Sequence, residues 1–335
     1  RQEGRGVVRV STLNRGGTAG FDVDLKAHTL GMTTTLLLDG QQFRVMSEKL
    51  HLFSGSVLGQ AFTTPEGDAV AIDYEYAGQG GNIFSGIAST ATTFVNNRLV
   101  ERASFKEVDL VEKAIRVEAT SYLDGREDRA FKQTGKWFEI VSGAVTRQRL
   151  TAGDGTVADV RYEYRAAEGG HLFLGIMSRS MTFEEGELVD VAVQDPSRLD
   201  VAAQTARVAR THYYRGQLIK QTDEVVDLLT GSARWQQITA VDGTVAEISY
   251  DYDRSGGGER FVGLFFRATT RVNGALLSTA TLNRNQIDLI AKTVGTDVVF
   301  YHEGDPGRSY KRFEEHADNV SGALQRRRLT AGDGS

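Results

Sequence analysis

The stretch QRLTAGDGTVADVRYEY (residues 148–164) returns 88 residues later as QQITAVDGTVAEISYDY (236–252), without a gap and with 10 of 17 positions identical. The same register runs upstream to FTTPEGDAVAIDYEY (62–76) and downstream to LTAGDG (329–334), giving spacings of 88, 88 and 91 residues. More than one motif is copied. FSGIASTATTFVNNRLV (84–100), FLGIMSRSMTFEEGELV (173–189) and VGLFFRATTRVNGALL (262–277) correspond, as do TLLLDGQQF (35–43), TSYLDGRED (120–128), THYYRGQLI (211–219) and VFYHEGDPG (299–307). A fixed period over whole units means that each unit buries a face against its neighbours. The units read as 62–149, 150–237 and 238–328. A C-terminal part of a first repeat precedes them at 1–61, and the start of a further repeat follows at 329–335. The start at Arg1 and the stop inside a copied motif point to a segment of a longer protein, with any targeting leader outside it.

Within a unit the apolar period is 2. Ala246, Ile248, Tyr250 and Tyr252 alternate with Glu247, Ser249 and Asp251, and Val70, Ile72, Tyr74 and Tyr76 alternate with Ala71, Asp73 and Glu75. Such alternation belongs to a half-buried strand. Asp39-Gly40, Asp124-Gly125, Asp154-Gly155, Asp242-Gly243 and Asn273-Gly274 are the dipeptides that tight two-residue hairpin turns demand. Each unit therefore holds four to six strands joined to their sequence neighbours, with 199–207 and 288–292 read as strand or bulge. Only three prolines occur, Pro65, Pro196 and Pro306, all at expected turns or loops. With no extended linker between units, one continuous antiparallel structure is favoured over separate beads. The fold class is thus all-β: hairpin meanders of about 88 residues continuing into an extended sheet, superhelix or shell. A string of Ig-like beads is the rival, because 88 residues also suit a small sandwich.

Composition narrows the function classes. The chain has 335 residues, 40% hydrophobic, no cysteine and a formal charge of -5. Disulfide scaffolds, thiol nucleophiles and Cys-ligated metals are excluded together. The mild, dispersed acidity, with a single tight basic cluster at Arg326 to Arg328, gives no footprint for nucleic acid. No apolar run approaches the roughly 18 residues of a membrane helix.

The run YDYDRSGG (250–257) resembles the Tyr-x-Tyr-Asp-x-x-Gly core of YD or RHS repeats. YEYRAAEGG (162–170) and YEYAGQGG (74–81) keep both tyrosines and the glycines but carry Arg165 and Ala77 where Asp253 stands. The resemblance implies β-hairpins wound into hollow shells around toxins or built into long surface proteins.

The candidate binding residues are the paired tyrosines Tyr74 and Tyr76, Tyr162 and Tyr164, Tyr250 and Tyr252. Each pair shares one strand face, as a platform for glycan or as core packing, and strand aromatics favour packing. Glu75, Glu163 and Asp251 lie on the opposite face. Like charges would meet there if copies were adjacent strands, unless bases such as Arg161 intervene. Residues 251–256 (DYDRSG) open like a calcium loop, but Val262 stands where its bidentate Glu is needed. Asp154, Asp242 and Asp333 suit turn geometry. His28, His51, His171, His212, His302 and His316 share no repeat position, and neither a phosphate loop nor a nucleophile elbow occurs. The lone sequon is Asn319-Val320-Ser321. The expectation is a non-catalytic scaffold, extracellular or on a cell surface, with no cofactor and no metal. Its partners would be neighbouring repeats, identical chains, or a glycan or protein surface.

Overall fold

The computed structural model describes residues 7–13, 22–240, 242–253 and 259–331. They form one open antiparallel sheet of 23 strands. In the first copy β1 (Val7–Leu13) and β2 (Val23–Asp24) pair along the same side of β3 (Thr29–Leu38), followed by β4 (Gln41–His51), β5 (Val57–Thr63), β6 (Ala69–Glu75) and β7 (Thr90–Val95). The second copy is β8 (Arg98–Asp109), β9 (Ala114–Tyr122), β10 (Ala130–Glu139), β11 (Val145–Thr151), β12 (Val157–Glu163) and β13 (Arg179–Glu184). The third is β14 (Glu187–Asp200), β15 (Thr205–Tyr214), β16 (Gln217–Asp227), β17 (Ala233–Thr239), β18 (Val245–Asp251) and β19 (Arg267–Val272). The fourth opens with β20 (Ala275–Asp288), β21 (Thr293–Tyr301), β22 (Ser309–Asp318) and β23 (Leu324–Ala331). From β3 onward every strand pairs with the next, and the ladder crosses each copy boundary, as in β7 with β8 and β13 with β14. The bead array is thereby corrected: an isolated sandwich would end its hydrogen bonding at its own edges, and here no such edge separates the copies.

The local expectations hold with instructive exceptions. Asp39-Gly40 and Asn273-Gly274 are two-residue turns with both residues at positive φ. In Asp154-Gly155 and Asp242-Gly243 only the glycine is at positive φ. The Asp carboxylate instead accepts the N–H of Thr156 or Thr244, at 2.9 Å in both, within a longer connection. The Asp side chain substitutes for a backbone acceptor, which lengthens the turn. Asp124-Gly125 belongs to a loop closed by Leu123 N–H to Arg129 C=O. Residues 201–204 and 289–292 are hairpin turns. The strands before them carry wide register shifts, between Gln194 and Leu199 and between Asn283 and Asp288. Pro196 lies in the first of these shifts, inside β14 and not in a loop. A bulged residue is out of the ladder, so the missing N–H costs nothing there.

Register shifts recur at matched places, at Leu36/Leu37 and His212/Tyr213 and again at Lys49/Leu50 and Val225/Val226. Bulges sharpen strand twist, and regular bulging bends the ribbon into a coil. Its turns alternate between two edges: edge A follows even-numbered strands and edge B odd-numbered ones. Each described edge-B turn from β3–β4 to β11–β12 meets the edge-A turn eleven strands further on. Gln204 Nε2 of the β14–β15 turn donates to Phe43 C=O beside the β3–β4 turn at 2.6 Å, and Arg98 beside β7–β8 lies 3.6 Å from Glu259 before β19. Gly153 N–H of the β11–β12 turn donates to Asp318 Oδ2 of β22 at 2.7 Å, and Asn319 Nδ2 donates to Phe131 C=O at 2.5 Å. Between β5–β6 and β16–β17 the buried Arg260 clamps Glu66 (2.8 Å), Asp68 (3.4 Å) and Asp227 (3.3 Å). Apolar seats accompany these bonds. Leu38 and Phe43 pack with Val201 and Leu228; Phe62, Val70 and Val95 with Leu229 and Phe261; Leu123 and Phe131 with Leu289. Each fully sealed Leu or Phe contributes about 1.5–3 kcal/mol.

Candidate functional site: the polar seam of the inner face

One face of the coiled ribbon turns inward. Strands from β4 to β16 line a cavity of about 760 Å³, with Val70, Ile72, Tyr74, Tyr162, Val208 and Val226 among its walls. The alternation that makes the strands turns every second residue of β6, β12 and β18, the fifth strand of each copy, to the same face, and Tyr74, Tyr162 and Tyr164 reach this cavity;. Tyr74, Tyr162 and Tyr250 donate to Gln60, Gln148 and Gln236 on the preceding strand, at 3.0, 3.0 and 3.3 Å. Tyr76, Tyr164 and Tyr252 donate to the carbonyls of Val57, Val145 and Ala233, at 2.7, 2.6 and 2.8 Å. Burial pushes the Tyr74, Tyr162, Tyr250 and Tyr252 hydroxyls up to about 12, and it also raises Tyr76 and Tyr164. The polar tips of all six rings are therefore engaged within the sheet, and what each ring presents is its flat apolar surface.

The glutamines lead on to charged groups. Gln60 donates to Glu48 on β4 (2.9 Å) and Gln236 to Glu224 on β16 (2.8 Å). Glu48 is held by Arg9 of β1 at 2.8 Å and by the Thr34 hydroxyl. In the second copy the corresponding β10 residue is Lys136, bound to Glu101 of β8 at 2.7 Å. In the third, Arg210 of β15 bridges Asp190 of β14 (2.9 Å) and Glu224 (3.1 Å), while His212 Nδ1 stands 3.0 Å from Asp190. Burial raises Asp190 and lowers His212, in both cases by disfavouring the charged form;. Closer to edge B, burial lowers the Arg44 guanidinium to about 10, with Asp227 opposing the shift. Its plane stacks on Phe62, 4.6 Å from the ring centroid;.

The remaining sequence candidates fall elsewhere. Glu75, Glu163 and Asp251 point away from the tyrosines, and their cross-strand neighbours are Thr90, Arg179 and Arg267. Copies of this strand are six strands apart, so the like charges never meet. Residues 254–256 of the calcium-like run lie outside the described residues. Among the described residues no three His, Asp or Glu are grouped to hold a metal ion. Among the described residues no helix is long and apolar enough to cross a membrane. The Asn319 amide of the sequon is occupied at the seat on Phe131. Sequence reading missed the charged seam, although overlaying positions 9, 101 and 190, and 48, 136 and 224, displays it.

No family model matches the chain, and no curated protein matches it. Among solved structures it is similar to TcdB2-TccC3 without its hypervariable C-terminal region, at 8% identity and a TM-score of 0.20, over 98% of this chain and 19% of that one. A second TcdB2-TccC3 structure matches at 8% identity and 0.20, over 95% and 19%. A porin-like protein from Bacteroides uniformis matches at 8% and 0.23, over 97% and 94%. The chain spans about a fifth of the TcdB2-TccC3 chains. No residue role or activity is carried over from these likenesses.

Proposed function

We propose that the chain is a wall segment of a larger, non-catalytic β-repeat body, extracellular or toxin-associated, of the kind that the YD/RHS resemblance implies. The observation that carries this reading is the edge-to-edge seating of coils. A ribbon that bonds strand to strand along its length and turn to turn across its coils gains shape and reach with every added copy. The inner face supports the same role, because its polar groups recur copy after copy and are paired within each copy. Enzymes instead gather unlike groups at one place. The inner tyrosines serve as packing, and the partners of the wall are further repeats.

Two experiments test the reading. A fragment of residues 150–237 would lack both its strand neighbours and its coil neighbours, so it is expected to aggregate without a cooperative melt; a fragment that melts cooperatively alone overturns the proposal. Gly153→Ala places a Cβ 2.9 Å from both Ala291 C=O and Asp318 Oδ2. This change is expected to cost about 1–3 kcal/mol. Amide exchange should then rise in the 152–156 and 318–323 turns together, and protection unchanged in the second turn would refute the coil contact.

A further inference from the structure

The third strand of each copy bulges near its start, at Phe43, Phe131, Ile219 and Tyr310, and the next residue is a cation: Arg44, Lys132, Lys220 and Lys311. Among the described residues none of these four cations has a carboxylate at ion-pair distance. Burial lowers Lys132 as it lowers Arg44. Of the four, Arg44 lines the 760 Å³ inner cavity, whose strands, β4 to β16, all pair with a neighbour on both sides. The other charged groups of the lining are Glu101, Lys136 and Asp227. Lys136 holds Glu101 at 2.7 Å, and Arg234 holds Asp227 at 2.6 Å. The Arg44 plane is fixed on Phe62, its Nη2 donates to Gln204 at 3.3 Å, and its Nε has no partner. Gln194 of β14, 3% exposed, lines the same cavity, and its Nε2 is unpartnered too. Both unmet atoms are donors, whereas the hydroxyls of Tyr74, Tyr162 and Tyr164 are engaged within the sheet. The rest of the wall is largely apolar, and Ala91 faces Ala103 across β7 and β8, where small side chains leave room.

We propose that this cavity binds an amphiphilic monocarboxylate, with its carboxylate on the Arg44 guanidinium and its hydrocarbon along the apolar wall. A wall segment would then also carry a small molecule, a role beyond the shape and reach inferred above. The chemistry follows from what the lining lacks. A cation held away from water without a counter-charge is costly, and an anion beside it removes that cost. A planar guanidinium matches the two oxygens of a carboxylate, and Arg44 is already oriented by the ring beneath it. Unmet donors with no unmet acceptor in the lining ask for acceptor atoms, which excludes an ammonium head. The volume lies within the roughly 300–1,000 Å³ of small-molecule sites, and the apolar wall gains from covering a hydrocarbon chain.

Calorimetric titration of the whole chain with dodecanoate, dodecanol and dodecyltrimethylammonium tests this. Dodecanoate is expected to bind saturably, dodecanol about 10- to 100-fold more weakly, and the ammonium not at all. Arg44→Met should bring dodecanoate down to the level of dodecanol while leaving dodecanol unchanged. It removes an unpaired buried cation, so the melt should not fall. Arg44→Lys, the residue type of the other copies, should keep most of the preference for the carboxylate. Ala103→Trp fills the cavity far from the Arg44 head site in sequence and should abolish binding of both dodecanoate and dodecanol. A native chain with no saturable dodecanoate binding holds water only and overturns the proposal. So do equal affinities for dodecanoate and dodecanol, which would mark a merely apolar hole, and dodecanoate binding that survives Arg44→Met. Binding that survives Ala103→Trp in a folded chain would put the ligand outside the cavity and overturn it as well.

Discussion

The first and second copies solve one electrostatic problem with opposite signs. Arg9 and Glu48 form the inner ion pair of the first, and Glu101 and Lys136, at the same two positions, form that of the second with acid and base exchanged. The third copy has acids at both places, Asp190 and Glu224, and sets Arg210 between them where the second copy has Ala119. What persists from copy to copy is that no acid of this polar row stands without a basic partner, since a lone buried charge would be costly;. The Tyr-Gln bonds beside it persist in residue type as well, being neutral and dependent on shape.

The third copy offers the largest break. Arg210→Ala leaves two acids, both with nearly buried side chains, without a counter-charge, and is expected to cost about 3–5 kcal/mol, read as a shift of the urea midpoint. Adding Glu224→Lys rebuilds the second copy's arrangement and should restore most of the loss; if the double variant is no more stable than the single one, charge pairing is not the rule. Lys136→Met in the second copy exposes a weaker dependence, about 1–2 kcal/mol, because both partners keep some contact with water;. It should be relieved by Glu101→Gln. For Arg9→Met the loss should be about 1–2 kcal/mol as well: Arg9 is more than half exposed, but the Glu48 carboxylate it leaves is buried and keeps only the Thr34 and Gln60 hydrogen bonds;. The smallest effect probes what the copies share. Tyrosine values of about 12 in the folded chain lie above the unfolded value of about 10;. Stability from these groups is therefore complete below about pH 10 and is lost as pH climbs from there through 12. Ultraviolet titration should find these phenols un-ionised until the sheet opens, and phenolate forming in the native state at about pH 10 would disprove their burial.

Much of this molecule could be read in the sequence. The period, the alternation of Ile248, Tyr250 and Tyr252 against Glu247, Ser249 and Asp251, and the positions of the turns follow from local chemistry, and local chemistry is what a sequence displays. Two-residue turns at Asp154 and Asp242 were over-assigned because an Asp-Gly pair looks the same whether Asp adopts positive φ or accepts a backbone N–H. The edge seats were hidden for a deeper reason. Phe43 is an apolar residue beside a hairpin turn, and only the pitch of the coil brings Val201 and Leu228 onto it. Pitch comes from the sum of many small twists and bulges, which no single stretch encodes. The charged seam lay between these cases, recoverable by overlaying copies, yet obscured because the pairing residues exchange sign.

The sixfold strand repeat and the eleven-strand coil act as two rulers with unequal graduations laid side by side. The turn between positions two and three of a copy always faces a turn between positions one and two, never its own likeness. Sliding one coil past the other by a hairpin would part Phe131 from Leu289 and the Arg260 guanidinium from Glu66 and Asp68, so a ribbon of near-identical units still locks in a single phase;.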